Sequence, residues 1–392
     1  MTSPTARTEM TQAMVVFFSF CCGAIVANLY YSQPIIALIA PAVGLSSHGA
    51  SLIVSLTQIG YALGLLLLVP LADLLENRRL ILVTTAVATV SLIGAGLSSQ
   101  PGVFLGLALL IGFSSVAVQM LIPLAANLAP EAARGRVVGN IMGGLLLGIL
   151  LARPVASLIA DHFGWRAVYL AAAAVMAVIL LVIARTVPRR EPAHQASYGQ
   201  LLGSLWTLLR RYPLLRQRAL LQGLMFAAFS LFWTAVPIEL ARQHGLSQSQ
   251  IALFALVGAL GAVAAPIAGR LADAGYTVKA SWLALLLAPL AFLLGVSQWG
   301  YSVVGLALTG VVLDFAVQLS MVLGQRTIYG LDPHSRARLN AVYMTSIFLG
   351  GALGSAVASA LYENYGWSAV AWVGALLPAL ALLVFAWSRR TQ

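Results

Sequence analysis

Lysine is all but missing from this chain: Lys279 is the single one in 392 residues. No G-x-x-x-x-G-K-[ST] element precedes it, so ATP-driven work through a P-loop here is excluded. Cysteine occurs twice, as the neighbours Cys21 and Cys22 inside the first apolar run. That spacing offers neither a disulfide framework nor a metal-ligand set, and two small apolar fillers are the plain reading. The histidines, at positions 48, 162, 194, 244 and 334, all fall in predicted loops. Intramembrane haem ligation or a serine–histidine protease site therefore lacks its imidazole. No acidic cluster suggests a metal site. Neither an enzyme nor a cofactor is expected. Charge itself is scarce, at 8% of residues against roughly 25% in soluble domains.

What is plentiful is apolar surface. Sixty per cent of the residues are hydrophobic, more than one water-soluble core could hide, so lipid must be the solvent. The formal charge of +11 invites a nucleic-acid partner. That reading fails, because the basic residues are scattered among short loops and form no stripe. The first apolar stretch, 14–40, holds Asn28, Tyr30, Tyr31 and Gln33 and is longer than the ~7–15-residue core of a cleavable signal. It is retained as a helix.

A hydrocarbon core of ~30 Å needs about 20 helical residues. Apolar runs between charged or turn-rich breaks give twelve spans. They cover 14–40, 51–72, 80–98, 102–128, 138–160 and 166–184, then 218–241, 249–272, 280–298, 302–328, 339–361 and 368–387. Such uniformly apolar runs lack the alternation of barrel strands, so the chain is an all-α membrane protein.

An even number of spans places both termini on one side. Arg7, Arg78, Arg79, Arg134, Arg136, Arg185, Arg189, Arg190, Arg210, Arg211, Arg216, Arg218, Lys279, Arg336, Arg338, Arg389 and Arg390 fall on that side, and only Arg166 and Arg242 clearly oppose it. The basic side is cytoplasmic, which implies a multi-pass protein of a cell inner membrane. One long connection, 185–217, carries Pro188, Pro192 and an amphipathic stretch around Leu201 to Leu209. It reads as a tether on an anionic leaflet. It separates an N-terminal six-helix bundle, 1–184, from a C-terminal one, 218–392.

The halves share landmarks. Leu71-Ala72-Asp73 returns as Leu271-Ala272-Asp273, 200 residues on, and Ala117-Val118-Gln119 returns as Ala316-Val317-Gln318, 199 on. Arg134-Gly135-Arg136 matches Arg336-Ala337-Arg338, and Gly164-Trp165 matches Gly366-Trp367, both 202 on. A duplicated membrane bundle points to a transporter with its site between the halves.

Six plus six helices, a basic linker and a repeated acidic loop resemble the major facilitator superfamily over the whole chain. The family's loop after span two runs roughly G-x-L-A-D-R-x-G-R-R. Here it is Val69-Pro70-Leu71-Ala72-Asp73-Leu74-Leu75-Glu76-Asn77-Arg78-Arg79, which keeps the aspartate and the basic pair. The copy from Gly269 to Gly275 keeps the front half better. Stretches Asn28 to Pro34 and Tyr343 to Ser355 are closest in flavour to arabinose-efflux-like and drug-efflux-like permeases.

The resemblance implies two pseudo-symmetric bundles and a cytoplasmic gate made by Asp73, Arg78, Arg79 and Asp273. Asp73 would face the start of span eleven near Asn340, and Asp273 the start of span five, when that side is closed. Two family features are missing. The span-four R-x-x-x-G has Ala108 in place of its arginine, and the glycine–proline motif of span five is reduced to Gly144, Gly148, Arg153, Pro154 and Ser157. A standard drug/proton antiport mechanism would lack these parts.

Polar residues inside the spans mark candidate sites. Arg153 lies about 10 Å inside the outer end of span five at ~1.5 Å per residue. It either faces a cavity and binds substrate or snorkels to the surface. Asp314, in the middle of span ten, is either a proton-coupling carboxylate or a permanent ionic partner of Arg153. Gln119 and Gln318 occupy matching places and could bind substrate from both halves or glue helices together. Asn28, Tyr30, Tyr31 and Trp233 are candidate substrate contacts, the aromatics alternatively interfacial anchors. Gln58, Asn127, Gln325 and Arg326 rank behind them. Pro34 and Pro237 are expected to soften spans one and seven. The expected activity is proton-coupled efflux of a small amphipathic or sugar-like solute by a monomer in the bilayer. The alternatives are an importer or facilitator of an organic anion held by Arg153, and a non-transporting receptor.

Overall fold

The computed structural model describes residues 11–189, 191, 197–297 and 299–390, with backbone alone at 259, 262, 265 and 390. Arg7, Arg190 and Pro192, named above, lie outside these residues. Among the described residues every regular element is helical.

In the first half the α-helices are α1 (Gln12–Ala27), α2 (Ile36–Ala42), α3 (Leu52–Leu67), α4 (Asn77–Leu97), α5 (Pro101–Ser114), α6 (Ala117–Leu128), α7 (Arg134–Phe163) and α8 (Trp165–Thr186). The connection holds α9 (Tyr198–Arg211). The second half holds α10 (Pro213–Arg242), α11 (Gln248–Val257), α12 (Ala264–Asp273), α13 (Thr277–Val296), α14 (Val303–Tyr329) and α15 (Arg336–Arg390). Nine apolar stretches among the described residues are long enough to cross a bilayer, and the last of them, Pro333–Arg389, bends at Gly366 and supplies two crossings. Spans one and eight are each split by a short 3-10 turn, Gln33–Ile35 and Gly258–Val263. Twelve crossings result.

The breaks are not symmetric. Span one stops at Ala27 and resumes at Ile36, with Pro34 at the start of the intervening turn, because proline has no N–H to continue the ladder. Its mate α10 runs unbroken through Pro237. Pro237 removes one backbone bond from within α10 without dividing it, so of the mated pair only span one breaks into separate helices.

Apolar side chains pack poorly against one another in lipid unless backbones come close, so small residues mark the crossings. A Cβ on Gly23 would lie 2.6 Å from the carbonyl oxygen of Gly144, and Gly148 rests directly on Gly23. The second half repeats this contact, with Gly350 against Gly223 and Gly354 against Ala227. The duplicated bundles thus share one α1–α7 and α10–α15 crossing. Valine at Gly354 is expected to force α10 and α15 apart and lower stability by about 1–3 kcal/mol. Alanine at Gly139, which has nothing within 4 Å, should be neutral. Thermal unfolding of both variants in detergent checks this.

The halves meet at one end. α3 lies along α15, with the Ser55 hydroxyl donating to the Ala352 carbonyl at 2.7 Å and Ser51 to Ala356 at 3.3 Å. Ser249 bonds Asp161 between α11 and α7, and His48 lies 3.2 Å from Asn364. All of these lie away from the basic end, where α1 begins and α15 finishes. At the basic end Asp73 is exposed, and no hydrogen bond or ion pair among the described residues joins the two bundles. The polar contacts near the ends of the bundles thus gather at the far end.

Candidate functional site

α7 places Arg153 ten residues before its last residue, Phe163, about 15 Å along the axis at ~1.5 Å per residue. The helix is longer than its apolar run, so the arginine sits deeper than the sequence suggests. It is 5% exposed, which rules out a side chain reaching for the surface. Its Nε donates to Gln33 Oε1 at 2.7 Å, in the break of span one. Its guanidinium carbon lies 5.1 Å from the Tyr30 ring centre, 5.3 Å from Phe229 and 4.5 Å from Trp233. Each aromatic face returns about 0.5–2 kcal/mol to a desolvated cation. That offsets part of a burial cost of several kcal/mol. Nη2 is buried without a hydrogen-bond partner.

Trp233 carries the cluster across to the other side of α10. Its Nε1 donates to Asp314 Oδ1 at 2.7 Å, and its ring is 2% exposed. Tyr30, Phe229 and Trp233 are thus packing partners of a cation, and the reading of Tyr30 and Trp233 as interfacial anchors is corrected. Arg153 and Asp314 form no ion pair within 4.0 Å. Instead the indole touches both groups, its face toward the guanidinium and its N–H toward the carboxylate, and the two charges still act on each other without direct contact. The result is a chain, Gln33–Arg153–Trp233–Asp314, that starts in the first bundle and ends in the second.

Span eight closes over this chain with its backbone. A Cβ on Gly258 would sit 2.7 Å from Asp314 Oδ2 and 2.8 Å from Trp233 Cζ2, and Gly261 rests on the Asp314 side chain. Only glycine lets the 3-10 turn come this near. Gly258→Ala is expected to push Asp314 off Trp233 while leaving the fold intact. Indole fluorescence of Trp233, read by difference from a Trp233→Phe control, should change in that variant.

A second polar group bridges the bundles. Gln58 Nε2 donates to Ser230 Oγ at 2.9 Å, and Ser355 Oγ lies 3.5 Å from Gln58 Oε1. Aromatic walls run beside it, with Phe226 stacked on Phe229 at 5.0 Å and Tyr61 edge-on to Phe348 at 4.5 Å.

Other candidates lie outside the cluster. Gln119 donates to Tyr61 OH at 3.1 Å, while Gln318 is half-buried and makes none of the hydrogen bonds among the described residues. The matching glutamines do not converge. Asn28 Nδ2 lies 3.5 Å from Ser115 Oγ, and Tyr31 is half-buried. Gln325 bonds Asn340 at 2.8 Å within the second bundle. At the basic end Asp273 pairs with Arg326 at 2.5 Å, inside its own bundle, and Arg78 bonds the Ala184 carbonyl. Asp73 and Arg79 are exposed. Neither aspartate meets the opposite bundle in this conformation. Sequence reading passed over Phe229 and Gly258, an ordinary phenylalanine and glycine in apolar runs, and left Gln33 without its partner.

Comparison with known proteins supplies the lineage. The family model of the Major Facilitator Superfamily matches residues 15–329 and 218–392. The chain is 43% identical over 382 residues to the uncharacterized transporter YgaY of Escherichia coli O157:H7, covering 96% of each. Its fold matches that of a D-xylose-proton symporter with a TM-score of 0.73 at 16% identity, over 96% of this chain and 97% of that one. It also matches the human organic anion transporter MFSD10 (TETRAN), with a TM-score of 0.68 at 20% identity, over 98% and 100%. Two bundles of six helices, a central cluster shared between them and these matches agree: this chain is a transporter, not an enzyme, and belongs to the Major Facilitator Superfamily.

Proposed function

We propose that this protein is a proton-coupled efflux transporter of a small amphipathic or sugar-like solute, working as a monomer by alternating access in a cell inner membrane. The observation that carries the reading is the Arg153–Trp233–Asp314 chain, in which a carboxylate deep in one bundle holds the indole that supports a cation from the other. An ionised carboxylate accepts a stronger hydrogen bond than a protonated one. Taking up a proton at Asp314 weakens its hold on Trp233 and frees the ring to shift beneath Arg153. Proton binding at one bundle is thereby felt at the other.

The aromatic faces of Tyr30, Phe229 and Trp233 suit the apolar side of an amphipathic solute, while Gln33 and Arg153 offer polar contacts. The arginine-rich loops support a cytoplasmic side for both termini and the linker. There Asp73, Arg78, Arg79 and Asp273 would meet the opposite bundle when the gate closes. The outward direction rests on the likeness of Asn28 to Pro34 and Tyr343 to Ser355 to efflux-type permeases.

One observation favours a second reading. The partnerless Nη2 of Arg153 fits a carboxylate or phosphate on the solute, and a protein of the same fold is named an organic anion transporter. The chain would then be an importer or facilitator of a small organic anion with no proton required.

Proteoliposomes loaded with a pH dye separate these. A thermal-shift screen of pentoses, nucleosides, aromatic amines and organic acids supplies the ligand. Ligand addition is expected to move protons across the membrane. Uptake that ignores an imposed pH gradient and follows anion charge would establish the second reading instead, and flux of either kind removes a receptor role.

A further inference from the structure

At the end of the second bundle away from the arginine-rich loops lies a cavity of about 460 Å³, lined by Glu239, His244, Tyr301, Tyr362, Tyr365 and Trp367 among others. His244 follows the end of α10 at Arg242, and Tyr301 precedes the start of α14. The cavity therefore opens among loops, where a water-borne ion can reach it. Gly366, at φ +73°, turns the chain between Tyr365 and Trp367, a backbone conformation that glycine adopts without strain. The turn brings both rings to the one cavity.

Glu239 stands out in this lining. It is 4% exposed, and the Tyr362 hydroxyl donates to its Oε2 at 2.7 Å. Among the described residues its carboxylate accepts no other side-chain hydrogen bond, and no basic nitrogen lies within 4.0 Å of it. Arg242, one turn further along α10, is already taken. It pairs with Glu363 at 2.7 Å, and its guanidinium carbon lies 5.9 Å from the Tyr362 ring centre. Two carboxylates thus stand against one guanidinium, which leaves a negative charge uncompensated at a buried wall, a costly arrangement without a counter-ion. His244 Nε2 is also buried without a partner. With the ring proton on Nδ1, that nitrogen is an acceptor.

We propose that this cavity binds a small organic ammonium ion. Glu239 is its counter-charge, His244 accepts an N–H or O–H beside that charge, and the rings of Tyr301, Tyr365 and Trp367 supply the walls. Aromatic faces attract a cation that lies within about 6 Å of the ring centre. The site shares no residue with the Arg153–Trp233–Asp314 chain and stands whatever the direction or coupling of transport.

The test is thermal unfolding of the full chain in an uncharged detergent, titrated with choline or with its uncharged isostere, in which a tert-butyl group replaces the trimethylammonium. Choline is expected to raise the unfolding temperature and the isostere to leave it unchanged. Glu239→Gln should raise the half-saturating choline concentration about tenfold. Tyr365→Ala, at a side chain 74% exposed, should raise it about threefold. Asp161→Asn removes an exposed carboxylate at the same end and should leave it unchanged. Should Glu239→Gln fail to fold, Tyr365→Ala carries the test. Equal responses to choline and the isostere, or no response to either, would overturn the proposal. So would a choline effect that is unchanged in Glu239→Gln or in Tyr365→Ala, or one lost equally in Asp161→Asn.

Discussion

Asp314→Asn is expected to abolish solute movement driven by a pH gradient, while ligand affinity stays within about threefold of the parent protein. The asparagine side-chain oxygen can still accept the Trp233 N–H that Asp314 accepts at 2.7 Å. The geometry of the cluster therefore survives. What is lost is the exchangeable proton, so the proton-driven component should vanish and downhill exchange should persist. Parallel measurement of gradient-driven uptake and of exchange in proteoliposomes separates the two. Undiminished gradient-driven uptake would remove Asp314 from the coupling step.

Arg153→Ala should produce the second large effect, a loss of transport of about 100-fold. The substitution removes the bond to Gln33 and the cation held above Tyr30, Phe229 and Trp233 together. Arg153→Lys is not expected to restore activity, because a compact ammonium cannot lie flat on the Trp233 ring while donating to Gln33. Thermal stability should hold or rise, since a buried cation with an unpartnered N–H has been removed. A fall in stability matching the fall in transport would make Arg153 structural. Under the organic-anion reading the loss would be confined to solutes bearing a carboxylate or phosphate.

The fold was legible because lipid imposes simple rules. Long apolar runs, few charges and loops rich in arginine leave helices as the available answer, and repeated landmarks such as Leu71-Ala72-Asp73 expose the duplication. Departures from regularity were harder to read. Pro34 and Pro237 occupy mated places, yet only span one breaks. The tertiary packing that decides which proline is tolerated is not encoded within the ten residues around each.

The candidate site was half legible. Arg153 and Asp314 stood out because a charge within a span is costly and needs a reason. Tyr30 and Trp233 stood out as polar-tipped aromatics near prolines. That Trp233 would touch both charged groups was invisible, since no spacing along the chain reports a contact between separate bundles. Gly258 was invisible for the opposite reason: its contribution is the absence of a side chain. Duplication also misled in one respect. Gln119 and Gln318 occupy equivalent places but meet different surroundings, because one faces Tyr61 and the other does not.

The central claim is that the protonation state of Asp314 sets which end of the molecule is open, and it can be tested without knowing the solute. Spin labels at Leu75→Cys and Ala337→Cys, exposed positions on opposite bundles at the basic end, would be placed in a background with Cys21 and Cys22 replaced by alanine. Their separation would be followed by pulsed dipolar spectroscopy across pH. The account predicts a long and a short population whose ratio changes with pH in the labelled parent protein and is independent of pH once Asp314→Asn is added. A pH response that persists unchanged in the Asp314→Asn protein would contradict it.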